Sequence, residues 1–546
     1  MRSMPVVFIL FLSSIFFADC SEKVKADLLV FNAVIYTVDS SFNTAEAMVI
    51  QNGNVLEVGK SSDLQKKYET KEEIDAQGKY IYPGFIDAHA HFFSYGRGLQ
   101  EANLVGTGSW EEILDTLKNF SARQQQGWLI GRGWDQNDWS VKEYPTKEKL
   151  DALFPDRPVF LTRVDGHAAI ANQKALDLAG VNAGDKLIGG DVLTQNGKLT
   201  GILIDNAVDL VSAKIPGAST NQTEKALYDA QANCFAVGLT TIDDCGLNYR
   251  EIQLIQRLHQ SGKLKMRLFA MLSDAKENYD FAFKNGKIKT DRLNVSSFKV
   301  YADGALGSRG ACLLQPYSDK PGWYGFLLSP KEHFDSVAKI IYDKGWQMCT
   351  HAIGDSGNRM ILETYAKYLR QKNDRRWRIE HAQVVNQNDF DLFGKYSVVP
   401  SVQPTHGTSD MYWAADRLGP DRVKGAYAYK QLLDQIGWIP LGTDFPVEDI
   451  SPFKTFLAAV VRKDAKGYPS NGFQMENALS REQALRGMTI WAAKSNFEEK
   501  EKGSLEVGKF ADFVILDQDL MKVGENEILR IKVLSTFVGG EKVFGK

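Results

Sequence analysis

Two imidazoles separated by a single residue, His89-Ala90-His91, close the apolar run that begins at Ile81. Alternate residues of a strand face the same way, so both rings can converge on one point, as a borderline divalent metal such as zinc requires. The run reads as a short buried strand leading into a loop. A lone His-x-His is a weak signal, and the chain has only eight histidines with which to strengthen it. Two more of them, His351 and His381, end the apolar runs 345–350 and 377–380. Asp444 ends a third run, 438–443, and Lys299 lies inside a fourth, 295–301. Metal-competent side chains gathered at the carboxyl ends of several strands describe the mouth of a (β/α)8 barrel.

These residues stand within PGFIDAHAHF (83–92), GRGWDQNDW (131–139), RVDGHAAIAN (163–172), KVYADGALGSRGA (299–311), THAIGDSGN (350–358), RIEHAQ (378–383) and GTDFPVEDISPF (442–453). With these motifs in this order, the chain resembles the amidohydrolase superfamily in its YtcJ-like (amidohydrolase 3) branch, over nearly all of its length after residue 24. The resemblance implies that His89 and His91 bind one metal, that His351 and His381 bind a second, and that Asp444 contacts the first. It also implies that Lys299 is carboxylated and bridges the two. A carboxylate beside a metal-activated water can take its proton and pass it to a leaving amine, which makes Asp444 the expected general acid/base. The residues alone leave other readings open. Asp444 fits a turn before Pro446, and Lys299, costly in a half-buried strand unless paired, fits an ion pair with Asp303.

The substrate contacts are sought among the remaining motifs. His167 follows the apolar run 158–162 in an Asp-Gly-His turn and is expected to touch substrate, the alternative being a loop histidine bonded to backbone near Asn172. His406, after 402–405, is a further expected substrate contact. Arg309, on a glycine-rich loop, can hold a substrate carboxylate or carbonyl, or tie its loop to Asp303. Trp134 and Asp135 are expected at the pocket rim, against a packing tryptophan followed by an N-capping aspartate. His259 and His333 fall in polar helical patterns and read as surface residues.

The chain has 546 residues, 44% of them hydrophobic and 24% charged, with a net charge of −3. These values are ordinary for a globular protein, and without a long basic run nucleic acid is not an expected partner. Residues 1–20 combine a short basic start with an apolar core and read as a signal peptide. The stretch ending at Cys20 resembles a bacterial lipoprotein processing site, so Cys20 is a candidate for lipidation and membrane attachment, with plain cleavage as the alternative. An exported protein of the periplasm or cell envelope is expected. The remaining cysteines have no framework spacing, and Cys234, Cys245 and Cys349 read as core residues.

The expected architecture is α/β. A (β/α)8 TIM-like barrel occupies 81–497, with an inserted subdomain at about 105–215 where strands and helices alternate less cleanly. Strand-like segments at 24–80 and 498–546 resemble the small β-sandwich that amidohydrolases build from both termini. The expected function is hydrolysis of a carbon–nitrogen bond other than a peptide bond, in an amide, N-acyl or formamide-like small molecule, with two Zn2+ per chain. Deamination, lactone or ester hydrolysis and isomerisation are alternatives on the same scaffold, and a ligand-binding lipoprotein without activity is an alternative of another class. A homodimer is the general expectation for such enzymes.

Overall fold

The computed structural model describes residues 23–124 and 126–545, so the leader and Cys20 lie outside the described residues. Seven parallel strands form the central sheet: β1 (Phe85–Ala90), β2 (Leu239–Leu247), β3 (Arg267–Ser273), β4 (Leu293–Tyr301), β5 (Gln347–Ala352), β6 (Arg378–His381) and β7 (Val399–Ser401). Each pairs with the next in chain order. Their residues are buried almost without alternation, as expected of parallel strands covered on both faces. Helices such as Tyr249–Gln260 pack outside, burying Ile252, Ile255 and Leu258 behind a capping box of Asn248 and Glu251.

The eighth position of the barrel is filled by residues 438–444, which form no regular strand. The segment is nevertheless held on both sides. Val402 N–H donates to Pro440 O at 3.2 Å and Gly442 N–H to Val402 O at 3.0 Å, while Ala88 and Asp444 N–H donate to Leu441 O and His89 O at 3.1 and 2.7 Å. Pro440 has no amide hydrogen to give, which helps explain why a run that reads as a strand makes so short a ladder. The barrel is thereby closed.

The apolar run 81–91 divides between two sheets. Tyr80–Pro83 pairs with Phe513–Leu516 in a six-stranded sheet built from both ends of the chain, and only from Phe85 does the run enter the barrel. The break falls at Gly84, where a Cβ would stand 2.3 Å from Thr240 Oγ1. A similar break separates Val24–Phe31 from Val34–Tyr36, with Asn32 in the left-handed region at φ 55°. Val24–Phe31 joins a four-stranded sheet, and Leu28, Val30, Ile35, Ile81, Phe513 and Phe537 fill the space between the two terminal sheets.

Between β1 and β2 the chain builds a separate six-stranded sheet from Ala102–Asn103 to Lys198–Asp205. It has its own apolar cores, one around Leu104, Trp134 and Leu161 and another around Phe160, Leu176 and Leu203.

Candidate active site

Three histidines at the barrel mouth are each fixed through one ring nitrogen and present the other. His89, on β1, places Nδ1 2.5 Å from Glu380 Oε2. His91, one residue past β1, places Nδ1 2.9 Å from the carbonyl of Cys245 on β2. His381, at the end of β6, places Nδ1 2.7 Å from Gln403 Oε1. With Nδ1–H donating to these acceptors, Nε2 is the unprotonated, metal-competent nitrogen. Two such atoms face Asp444, with His89 and His91 Nε2 3.5 and 3.1 Å from Oδ1, and a further imidazole joins them, with His406 Nε2 3.6 Å from Oδ2. Two ligand sets result, His89–His91–Asp444 and His381–His406–Asp444, each with its donor atoms within 4.8 Å of one another.

The backbone is bent to achieve this. In a regular strand Glu380 and His381 would point to opposite faces. His381 instead adopts φ 72° and Asp444 φ 65°, and conformations of this kind cost about 1–3 kcal/mol each and collect at functional sites. Asp87 holds the closing segment against β1: its carboxylate accepts from Thr443 N–H at 3.0 Å, Thr443 Oγ1 at 2.7 Å and His89 N–H at 3.2 Å. Beneath the centre, Arg378 lies 2.7 Å from Glu380 Oε1 and 2.9 Å from Asp243 Oδ2, all three fully buried.

Burial would raise the Glu380 carboxyl, but Arg378 and His89 hold it well below the ordinary carboxylate range. Burial, reinforced by the Lys299 ammonium, lowers His89 to about 4, and burial likewise takes His351 and His381 well below the usual imidazole value. The neutral imidazole is the form that binds metal. Asp444 stays ionised: burial opposes it, yet His89 and His91 keep its pKa depressed.

Lys299 is fully buried on β4, with Nζ 3.3 Å from His89 Nε2 and 4.9 Å from the centre of the Tyr301 ring. Burial pulls its ammonium down, but Tyr301, Cys245 and the carboxylates of Glu380 and Asp444 hold it above its ordinary value. It does not pair with Asp303. That carboxylate accepts from the backbone of Ile353, Gly354 and Cys312 at 3.0, 2.8 and 2.8 Å, and burial pushes it up to about 7. His351 packs against His381 and His167, with ring centres 4.6 and 5.0 Å apart. His167, carried in from the inserted sheet, bonds through Nδ1 to Asp205 Oδ1 at 2.5 Å.

These groups face a cavity of about 750 Å³ between barrel and inserted sheet. The donor set suits divalent metal. His351 Nε2, His406 Nε2 and Asp444 Oδ1 are buried without a hydrogen-bond partner, and a buried polar atom is costly when left unpaired.

Several expected substrate contacts fall elsewhere. Trp134 is completely buried in the core of the inserted sheet, with Nε1–H donating to Leu161 O at 2.9 Å, because the register shift between Arg132 and Trp134, with Gly133 at φ 107°, breaks the alternation and turns it away from the cavity. Arg309 is absent from the cavity wall: its guanidinium lies 2.8 Å from Asp319 Oδ2, which ties down its loop. Asp135 does line the cavity, but it caps the turn at Asn137 and is ion-paired to Arg163. His406, expected at substrate, is aimed at Asp444. His259 is half-buried against Met266 O rather than on the surface, and His333 pairs with Asp274. Glu380 and Gln403 were not singled out by the sequence, although Glu380 precedes His381 in the quoted RIEH motif. Asp205 has no local signal at all, since it meets His167 from a different strand.

Comparison with known proteins accords with this geometry. The amidohydrolase family model matches residues 72–544. The chain is 30% identical over 522 residues to the putative amidohydrolase YtcJ of Bacillus subtilis, spanning 94% of this chain and 98% of that protein. It is 25% identical to the N-substituted formamide deformylase of Arthrobacter pascens, spanning 94% and 97% of the two chains. Among solved structures, an uncharacterized metal-dependent hydrolase from Pyrococcus horikoshii OT3 superposes with a TM-score of 0.75 at 29% identity, over 91% of this chain and 99% of that one. Matched along nearly all its length, and with histidines and an aspartate gathered at the mouth of a closed barrel, the chain belongs to the amidohydrolase family.

Proposed function

We propose that the protein hydrolyses a carbon–nitrogen bond of a small amide, N-acyl or formamide-like compound, using two divalent metals. The observation that carries this reading is the set of three imidazoles, His89 and His91 among them fixed through Nδ1, whose Nε2 atoms converge on the Asp444 carboxylate. His89, His91 and Asp444 hold one metal. His351 and His381 hold the second, with His406 turned to the same carboxylate and Lys299 beside both groups. Mixed nitrogen and oxygen donors favour zinc. Bound there, the metals supply Lewis acidity and an activated water.

The chain's own groups do the rest. Asp444, ionised at neutral pH, accepts a proton from the attacking water and returns it to the departing nitrogen. Burial opposes charge on His167, yet Asp205 raises its pKa, and the imidazolium, held through Nδ1–H and set against His351, can donate its Nε2–H to the substrate carbonyl oxygen. The inserted sheet covers the cavity and limits access of bulk water. Similarity to a formamide deformylase favours a small acyl group on the scissile nitrogen.

Carboxylation of Lys299, export, lipidation of Cys20 and dimerisation belong to the same proposal. Positive charge at the metal centre lowers the amine pKa, so carboxylation accompanies metal uptake. The test is metal per chain on protein purified without chelator, followed by turnover of matched amides, formamides, esters and lactones. We expect close to two equivalents of metal, loss of amide turnover with chelator and recovery with zinc. Turnover confined to esters or lactones overturns the bond assignment. An unmodified Lys299 in the intact mass of the metal-replete protein removes the carbamate.

A further inference from the structure

One guanidinium faces the cavity with acids in its surroundings, Glu101 foremost and then Asp444 and Asp165, but with none of them in contact as an ion pair. Arg132 lies on Leu129–Trp134 of the inserted sheet, the strand that also buries Trp134. Among the described residues it forms no ion pair. Its one hydrogen bond runs from Nη2 to the carbonyl of Val164, at a long 3.3 Å, and its Nε is buried with no partner. A guanidinium stays charged at any physiological pH and carries five donors in a fixed fork. Leaving the buried Nε without an acceptor is costly unless a ligand completes it, and the guanidinium opens on the cavity where a ligand can reach it.

Several other charged groups of the wall are already engaged. Arg163, the second arginine there, is clasped between Asp135 and Asp165. Asp205 is bonded to His167 and Asp274 to His333. Asp410 and Glu448 accept from Tyr427 and Ser409, all in the part of the chain that follows β7 rather than on the inserted sheet. Of the two arginines in the wall, Arg132 is thus the one left to recognise an anion, and its planar fork matches a carboxylate in bidentate geometry.

We propose that the substrate carries a carboxylate, and that Arg132 binds it while the acyl–nitrogen bond lies at the His89–Asp444 centre. The substrate class is then the N-acyl or N-formyl amino acid, or an amide of similar size with an acidic end. This rests on the hydrolase reading above, in which Arg132 is a specificity residue and takes no part in the proton transfer.

The test uses the metal-replete full chain and two matched probes, N-formylphenylalanine and its C-terminal carboxamide. Calorimetric binding and turnover are measured for wild type, Arg132→Gln and Arg132→Lys. Wild type should bind the carboxylate at least about tenfold more tightly than the carboxamide, as expected of a charge-assisted pair. Arg132→Gln should abolish that preference through the carboxylate's affinity alone, and Arg132→Lys should keep part of it. Melting temperature separates folding from recognition: a role limited to holding the Val164 loop lowers stability and leaves the ratio between probes unchanged. Equal affinity for both probes in wild type, or an undiminished preference in Arg132→Gln, overturns the proposal. Preference for the carboxylate without turnover of either probe leaves Arg132 in its role and counts against the hydrolase reading instead.

Discussion

Glu380 and His381 are joined by one peptide bond, yet both serve the same centre, because the left-handed backbone at His381 returns its ring to the face that Glu380 already occupies. Glu380 holds His89 through Nδ1 and balances the buried Arg378, so it sets both the tautomer of one metal-facing ring and the charge beneath the site. Removing the charge while keeping the shape should therefore be felt as metal affinity. Glu380→Gln is expected to weaken metal binding by roughly 10–100-fold, the usual cost of losing a group that orients a metal-ligating histidine. Chelator competition on the folded protein measures it, and an affinity unchanged from wild type would mean that His89 needs no such support. His351, His381 and Asp444 were legible because each ends an apolar run. Asp205 and Gln403 were not, because a side chain that meets its partner across a long separation leaves no local pattern in the chain.

The elements were legible to the extent that apolar runs report burial. Strands β1, β4, β5 and β6 all follow from such runs, as does the amphipathic helix Asp355–Leu369. What a run does not report is where one sheet hands over to another. Residues 81–91 look continuous, and only the approach of Thr240 to Gly84 reveals the division. Nor does a run report an irregularity within a strand: the register shift at Gly133 separates two residues that alternation would place on one face, so the conspicuous Trp134 is core and the less conspicuous Arg132 lines the wall. The closing segment 438–444 is the tightest of these handovers. A Cβ at Gly442 would stand 2.5 Å from His89 N and 2.8 Å from Asp87 Oδ1. Gly442→Ala is expected to cost about 1–3 kcal/mol, in the range of other overpacked sites. It should also lower metal affinity, because His89 is the neighbour that must move. Denaturant midpoint and metal titration on the same sample check both, and a stability loss with intact metal affinity would separate the closure from the site.

At the scale of the molecule, the barrel and the sheets built from the two chain ends are fastened by a buried ion pair. Arg267, at the start of β3, places Nε 2.6 Å from Asp512 Oδ2 and Nη2 2.9 Å from Oδ1, and Gly539 N–H donates to the same carboxylate at 2.7 Å. Breaking one side of such a pair strands the other charge, so Asp512→Asn is expected to destabilise by about 3–5 kcal/mol. The double replacement Arg267→Met with Asp512→Leu should recover much of that loss. Thermal and denaturant unfolding of the three variants decides it, and a single substitution as mild as the double one would mean that the pair is not what joins the two parts. The closing segment carries a consequence of another kind. Asp87 and Thr443, whose bond clamps the first and last staves together, are 356 positions apart. A ribosome has therefore delivered His89 and His91 long before Asp444 exists, and until the final stave docks those two rings lack their shared carboxylate. Metal capture and barrel completion become one late event in the life of the chain. The uptake of metal by a newly made molecule is then a clock for the end of its folding.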